Sequence, residues 1–264
     1  MAESALRGIA FRGGGFAPRP RKRAALIAFA LLLGGWQAAI STGLVSAVFL
    51  PSPWSILIAL RDLAVSGELW RHLSISLLRI VAGWALGTAA GLGVGLAMGL
   101  QSMARSVGLP LVSALFPIPK IALLPLLILW LGIGEAPKIA TIALGVFFPT
   151  AIAAASGIDA VPRGLIRMAQ SFNLPFAAIL AKVVLPGALP SIIAGFRISA
   201  STALLLVVAA EMIGAQDGIG AFVLAAGNLM QTDRLMAGVV VLSLLGLAVG
   251  GLLSEIEKRL LRWR

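Results

Sequence analysis

The chain contains no cysteine and a single histidine, His72. The first absence excludes disulfides and thiolate-metal chemistry, and one imidazole cannot build a multi-histidine metal site. The redox state of the compartment stays undetermined. A catalytic set is missing as well: His72 has no cysteine or serine motif beside it, and no glycine-rich phosphate loop ends in Lys-Ser or Lys-Thr. The chain is therefore expected neither to hydrolyse nucleotide nor to perform covalent chemistry, and transport would have to draw on an ion gradient or on a partner. Charge is scarce, at 12% of residues, with 10 acidic against 21 basic.

What is abundant is apolar. Of 264 residues 59% are hydrophobic, and the mean hydropathy of +1.02 lies far outside the range of soluble domains. An all-α integral membrane protein is expected. A bilayer core of about 30 Å takes roughly 20 apolar residues of helix, and six segments meet that length, near 24–44, 73–100, 108–131, 138–157, 190–213 and 235–255. The third carries Pro110, Pro117, Pro119 and Pro125, each of which removes a backbone donor and can break or kink it.

Orientation follows from where the basic residues fall, because Lys and Arg are retained on the cytoplasmic side. With the N-terminus inside, fourteen of the 21 lie there, Arg105, Arg163, Arg167 and Lys182 among them, against Arg61, Arg71, Lys138 and Arg234 outside. The net charge of +11 thus reads as a topology signal, and no nucleic-acid partner is expected. Both termini and a loop over 158–189 are expected to be cytoplasmic. Residues 1–23, with PRPRKR, read as a basic cytoplasmic tail, and 24–264 as one transmembrane domain. The first span exceeds the 7–15 apolar residues of a signal peptide and reads as an uncleaved helix. On the outer side, a helix bounded by Trp54 and Trp70 is expected in the interface, and the stretch over 214–235 is expected to dip or lie flat.

The loop is the polar, prolyl-punctuated stretch of the second half. Pro162 to Phe172 has helical content, Asn173 suits a left-handed turn, and Leu174-Pro175 stops the helix. A second piece, Phe176 to Val184, runs through Leu185-Pro186 and Leu189-Pro190 into the fifth span. Helix, turn and helix would form a rigid lever acting on that span.

RMAQSFNLPFAAILAKVVLPGALP is similar to the cytoplasmic "EAA" loop of bacterial ABC importer permeases: Glu-Ala-Ala, three residues, Gly, nine residues, an aliphatic residue, one more, then Leu-Pro. Val183 stands at the aliphatic position when Leu185-Pro186 is aligned; Asn173 then stands at the Gly and Arg167-Met168-Ala169 at Glu-Ala-Ala. The spacing is intact, while the Glu, one Ala and the Gly differ. The blocks LPSPWSIL, PIPKIALLPLLILWLGIGEAPKI, VVLPGALPSIIAGFRIS, AAEMIGAQDGIGAF and LMQTDRLMAGVVVL resemble the sulfonate, taurine and nitrate type of permease from about residue 48 onward. The resemblance implies a six-span type I ABC importer permease (MetI-like) fold in a bacterial inner membrane. It also implies a second permease copy, two cytoplasmic ATPases that carry ATP and Mg, a periplasmic or lipid-anchored substrate-binding protein, and no cofactor in this chain. The helix that docks on the ATPase in that family corresponds to Leu165, Ile166, Arg167, Met168, Ala169, Gln170, Ser171, Phe172, Asn173 and Leu174.

The basic residues within spans lean toward a small anionic solute. Candidate pathway residues are Lys120, Pro117, Pro125, Arg197 and Glu211. Lys120, about 18 Å into the third span, either meets an anion along the pathway or snorkels to the interface. Arg79 and Arg197, each about 10 Å inside, are expected to snorkel, and Glu211, at the outer end of the fifth span, to pack or make a gate contact. Gly83, Gly87, Gly91, Gly95 and Gly99 repeat every fourth residue and present a smooth face for close helix packing. The alternative is an ion-gradient-driven secondary transporter. It would need intramembrane acids or an internal repeat, whereas the acids cluster outside spans or at their ends and no repeat is evident.

Overall fold

The computed structural model describes residues 22–262. The tail expected over 1–23 lies outside them except for its last two residues. Among the described residues every regular element is helical, and five helices are long and apolar enough to cross a membrane, or six when one sharply bent pair counts as a single span.

Helix α1 (Lys22–Ser41) buries none of its apolar window within the chain. Ser52 then caps α2 (Pro53–Val65) by accepting the Ser55 N–H at 3.0 Å, and Pro53 occupies the first turn, where its missing donor costs nothing. A helix thus starts near Trp54 as expected but ends at Val65, leaving Trp70 on the next helix, and Ile56, Ala59 and Leu63 pack it against Phe222 and Ala237. Gly67, at φ 83°, turns the chain into α3 (Glu68–Leu100), which starts five residues before the expected span and is about 50 Å long.

The third span departs furthest from expectation. α4 (Ser102–Leu115) and the segment Lys120–Leu131 meet at 88°, so the chain is broken rather than kinked. That segment comprises a 3-10 turn (Lys120–Leu123) and α5 (Leu124–Leu131). Pro117 and Pro119 lie in the break, whereas Pro110 is tolerated inside α4 and Pro125 sits in the first turn of α5, where no donor is needed.

α6 (Glu135–Asp159) packs along α3 on the glycine stripe. A Cβ added at Gly83 would stand 2.6 Å from Ile142 Cβ, one at Gly91 2.5 Å from Phe147 O, and one at Gly95 2.5 Å from Ala151 O. Only hydrogen fits there, as the four-residue spacing anticipates. α7 (Arg163–Ser171) follows at the far end of α6. Then α8 (Phe176–Ile179), a π turn (Leu180–Val184) and α9 (Leu185–Gly214) run on as one apolar rod of 39 residues. In the π turn the Leu185 N–H reaches back five residues to Leu180 O, one residue ahead of Pro186, which has no N–H to give. α10 (Ile219–Asn228) and α11 (Thr232–Leu260) complete the chain. Where α3, α6 and α9 meet, Ile80, Ile142, Val146, Ala203 and Val207 form a buried core, and the Trp84 indole donates to Ser199 Oγ at 3.0 Å.

Candidate functional site

Two places carry polar chemistry, at opposite ends of α6 and α9. The first is the elbow made by α7, its turn and α8. Asn173 has φ 53°, the left-handed conformation expected from its type and place. The Leu174 N–H donates to Ala169 O at 3.3 Å and the Asn173 N–H to Gln170 O at 2.9 Å, the crossed pair of bonds that closes a helix end around a left-handed residue. Pro175 prevents continuation.

α7 divides into two faces. Ala169 is buried and Ile166 half-buried, and both join a core with Ile158 and Val161 of the preceding chain, Ile179 and Val184 of the following chain, and Ala188 and Ile192 of α9. α7 is therefore packed directly against the end of α6 and the start of α9. The other face holds Leu165, Met168 and Phe172, exposed beside Arg163, Arg167 and Gln170. Phe172 is 73% and Phe176 68% exposed, so a wide apolar surface at the turn is uncovered within this chain. Ser171 turns its hydroxyl inward to Met168 O at 2.7 Å. Arg167, where the resemblance has Glu, makes no ion pair among the described residues. Beneath the elbow, Arg105 of α4 grips Asp159 with two bonds of 2.6 and 2.8 Å.

The second place is an ion cluster. Glu211 of α9 is buried and accepts from Ser76 Oγ at 2.7 Å, from Arg79 Nη1 at 2.8 Å and from the Gly220 N–H at 2.8 Å. Gly218 lies so close that a Cβ there would fall on the Glu211 carboxylate. Arg79 also donates from Nε and Nη2 to the two Glu135 oxygens at 2.5 and 2.6 Å, and from Nη1 to Asp217 O at 2.6 Å. Its side chain is 2% exposed, so the snorkelling expected from the sequence is overturned. The earlier start of α3 puts Arg79 deeper than the expected span did, and three acids or carbonyls from later elements surround it. The signal available in the sequence was the pair of acids at span ends, Glu135 and Glu211, which the fold gathers onto one guanidinium, while the Asp217 carboxylate pairs with Arg71.

The other candidate pathway residues are dispersed. Lys120 is buried, and its ammonium donates to Leu115 O, Phe116 O and Ile118 O at 2.9, 3.0 and 2.6 Å, with the Phe148 ring centroid 4.3 Å away. Each donor is used to satisfy the carbonyls that the break after α4 leaves open. Arg197 is half-exposed and pairs with Glu257 of α11 at 2.5 Å. Pro117 and Pro125 flank the bend. Among the described residues none of these hydrogen-bonds to Glu211.

Residues 87–262 match the family described as "Binding-protein-dependent transport system inner membrane component". The putative aliphatic sulfonates transport permease protein SsuC of Bacillus subtilis (strain 168) is 36% identical over 235 residues, covering 89% of this chain and 85% of that one. The taurine transport system permease protein TauC of Escherichia coli (strain K12) is 37% identical over 239 residues, 89% and 87% of the two chains. Among solved structures, an inward-facing conformation of the MetNI methionine ABC transporter superposes with a TM-score of 0.62 at 23% identity, over 73% of this chain and 95% of that one, a likeness of fold. Sequence match, helical architecture and superposition agree: the chain belongs to the binding-protein-dependent transport system inner membrane components, the multi-pass permeases of ABC transporters.

Proposed function

We propose that this chain is the permease subunit of an ATP-driven importer for a small anionic solute of the sulfonate or taurine kind, and that the α7 elbow couples it to the motor. On this reading the elbow and both termini face the cytoplasm, and a second copy of the chain completes the pathway. Two ATPase subunits carry ATP and Mg, and a substrate-binding protein delivers solute from outside. This chain supplies no catalytic group and no cofactor site.

One observation carries the reading. α7 is locked at Asn173, buries Ala169 in a core shared with α6 and α9, and presents Leu165, Met168 and Phe172 outward. A partner seated on that face can push on the rods only because the opposite face is packed into them. Closure of the ATPases would then favour one arrangement of α6 and α9 over another by differential contacts. The names of the relatives support sulfonate chemistry. The buried Glu211 is held by Ser76, Arg79 and the Gly220 N–H as part of the bundle's internal pairing.

The test is uptake and ATP hydrolysis by the reconstituted complex carrying Phe172→Asp or Asn173→Pro. Each should leave basal hydrolysis in place and abolish solute-stimulated uptake. Full solute-stimulated transport in both variants removes the elbow from the mechanism.

A further inference from the structure

A cleft of about 560 Å³ opens beside the ion cluster, walled by Arg79, Lys138, Glu135, Gln216 and Asp217. Two cations on its wall are almost shut off from solvent, the Arg79 and Lys138 side chains being 2% and 8% exposed. Their hydrogen bonding is unequal. Arg79 is amply paired, whereas Lys138 Nζ donates only to Glu135 Oε1, at a long 3.3 Å. Two of its three N–H groups therefore have no protein partner among the described residues, an expensive arrangement for a buried ammonium. Glu135 is the one removable member of the set. Its side chain is 49% exposed, and it opens α6 directly after Gly132 (φ 79°) and Gly134 (φ 152°), backbone conformations that glycine adopts freely.

Building on the anionic solute proposed above, we propose that Arg79 and Lys138 form an oxyanion-binding subsite that the Glu135 carboxylate fills in the absence of solute, and that a sulfonate group enters by displacing it. The parallel bonds from Arg79 Nε and Nη2 to the two Glu135 oxygens form a fork that any centre with two terminal oxygens can match. A sulfonate has a third oxygen for the under-used Lys138 donors. Charge is conserved in the exchange, one monoanion for another, and the Arg79–Glu211 pair stays intact. Glu135 moves into water, where an ionised carboxylate is well solvated. The same exchange releases the start of α6 from α3, so occupancy of the cleft is tied to a helix that also reaches the elbow.

An internal competitor lowers apparent affinity by the fraction of time the site is free. The experiment uses the full-length chain in lipid nanodiscs titrated with methanesulfonate, with dimethyl sulfone as the uncharged molecule of similar shape. Glu135→Ala should bind methanesulfonate about tenfold more tightly than the parent chain, with no gain for dimethyl sulfone. Glu135→Gln, which keeps the shape, should gain in the same direction, so a folding failure of the alanine variant hides nothing. Adding Lys138→Met should remove most of the gain. Asp217→Asn deletes a negative charge from the same cleft but from a side chain that pairs with Arg71, and should stay within about threefold of the parent. No gain in the Glu135 variants, or an equal gain from Asp217→Asn, overturns the subsite. If the assembled transporter carries no sulfonate while the Glu135 variants still bind more tightly, the solute assignment fails and the subsite stands. Sulfonate uptake without any change of affinity in those variants does the reverse.

Discussion

Arg79 and Glu211, 132 positions apart in sequence, meet at 2.8 Å with side chains 2% and 0% exposed, joining α3 to α9 at the end of the bundle away from the elbow. A buried pair of this kind matters most when one partner is lost, because the survivor remains charged and dry. Glu211→Ala leaves the guanidinium with Glu135 and the Asp217 carbonyl and also removes the acceptor for Ser76 and Gly220. A loss of roughly 3–5 kcal/mol is expected, seen as a lowered thermal midpoint in detergent. Glu211→Gln keeps the hydrogen bonds in part and should lose less. A midpoint unchanged in the alanine variant would contradict the arrangement.

At Asn173 the backbone angle, rather than the side chain, is the requirement. Asn173→Gly should fold and couple at least as well as the parent. Asn173→Val, with a β-branched residue forced to φ 53°, should lose about 1–2 kcal/mol locally and with it much of the solute-stimulated ATPase. Equal coupling in the two variants would show that the turn geometry is not needed.

Gly91 and Gly93 stand two residues apart on α3 in different surroundings. A Cβ at Gly91 would press on Phe147 O and Thr150, while one at Gly93 meets nothing within 4 Å. Gly91→Val should destabilise by about 1–3 kcal/mol or prevent assembly, and Gly93→Ala should be neutral or slightly stabilising. Thermal unfolding of both variants checks the contrast.

Lys120→Met tests whether that ammonium serves structure alone. It removes the partner of three backbone carbonyls at the bend, and a loss of about 1–3 kcal/mol is expected, read as a lowered thermal midpoint. The concentration of solute giving half-maximal uptake should not move. A weakened apparent affinity with unchanged stability would instead put the lysine on the pathway.

The six apolar runs, the glycine stripe and the left-handed turn at Asn173 were legible because each depends on local spacing: 3.6-residue periodicity, a four-residue repeat, one residue type before Leu-Pro. The fate of Arg79 and Lys120 was not. Both were judged by distance from a span end, and both span ends moved once Gly67 set the start of α3 and Pro117 and Pro119 broke the third span. Long-range partners decided the rest. Glu135 and Glu211 lie 56 and 132 positions from Arg79, and no local pattern in the chain announces that they share it.

The π turn at Leu180–Val184 stores one residue more than a regular helix would use. Within regular helix each residue advances the winding by about 100°, so an unabsorbed extra residue would swivel everything on its N-terminal side by that angle about the rod axis. The wide turn takes the surplus up locally, and Phe176 and the Leu165–Phe172 surface keep their azimuth relative to α9. The direction in which that surface looks is thus shielded, by an irregularity in winding, from a one-residue change in the length of the rod.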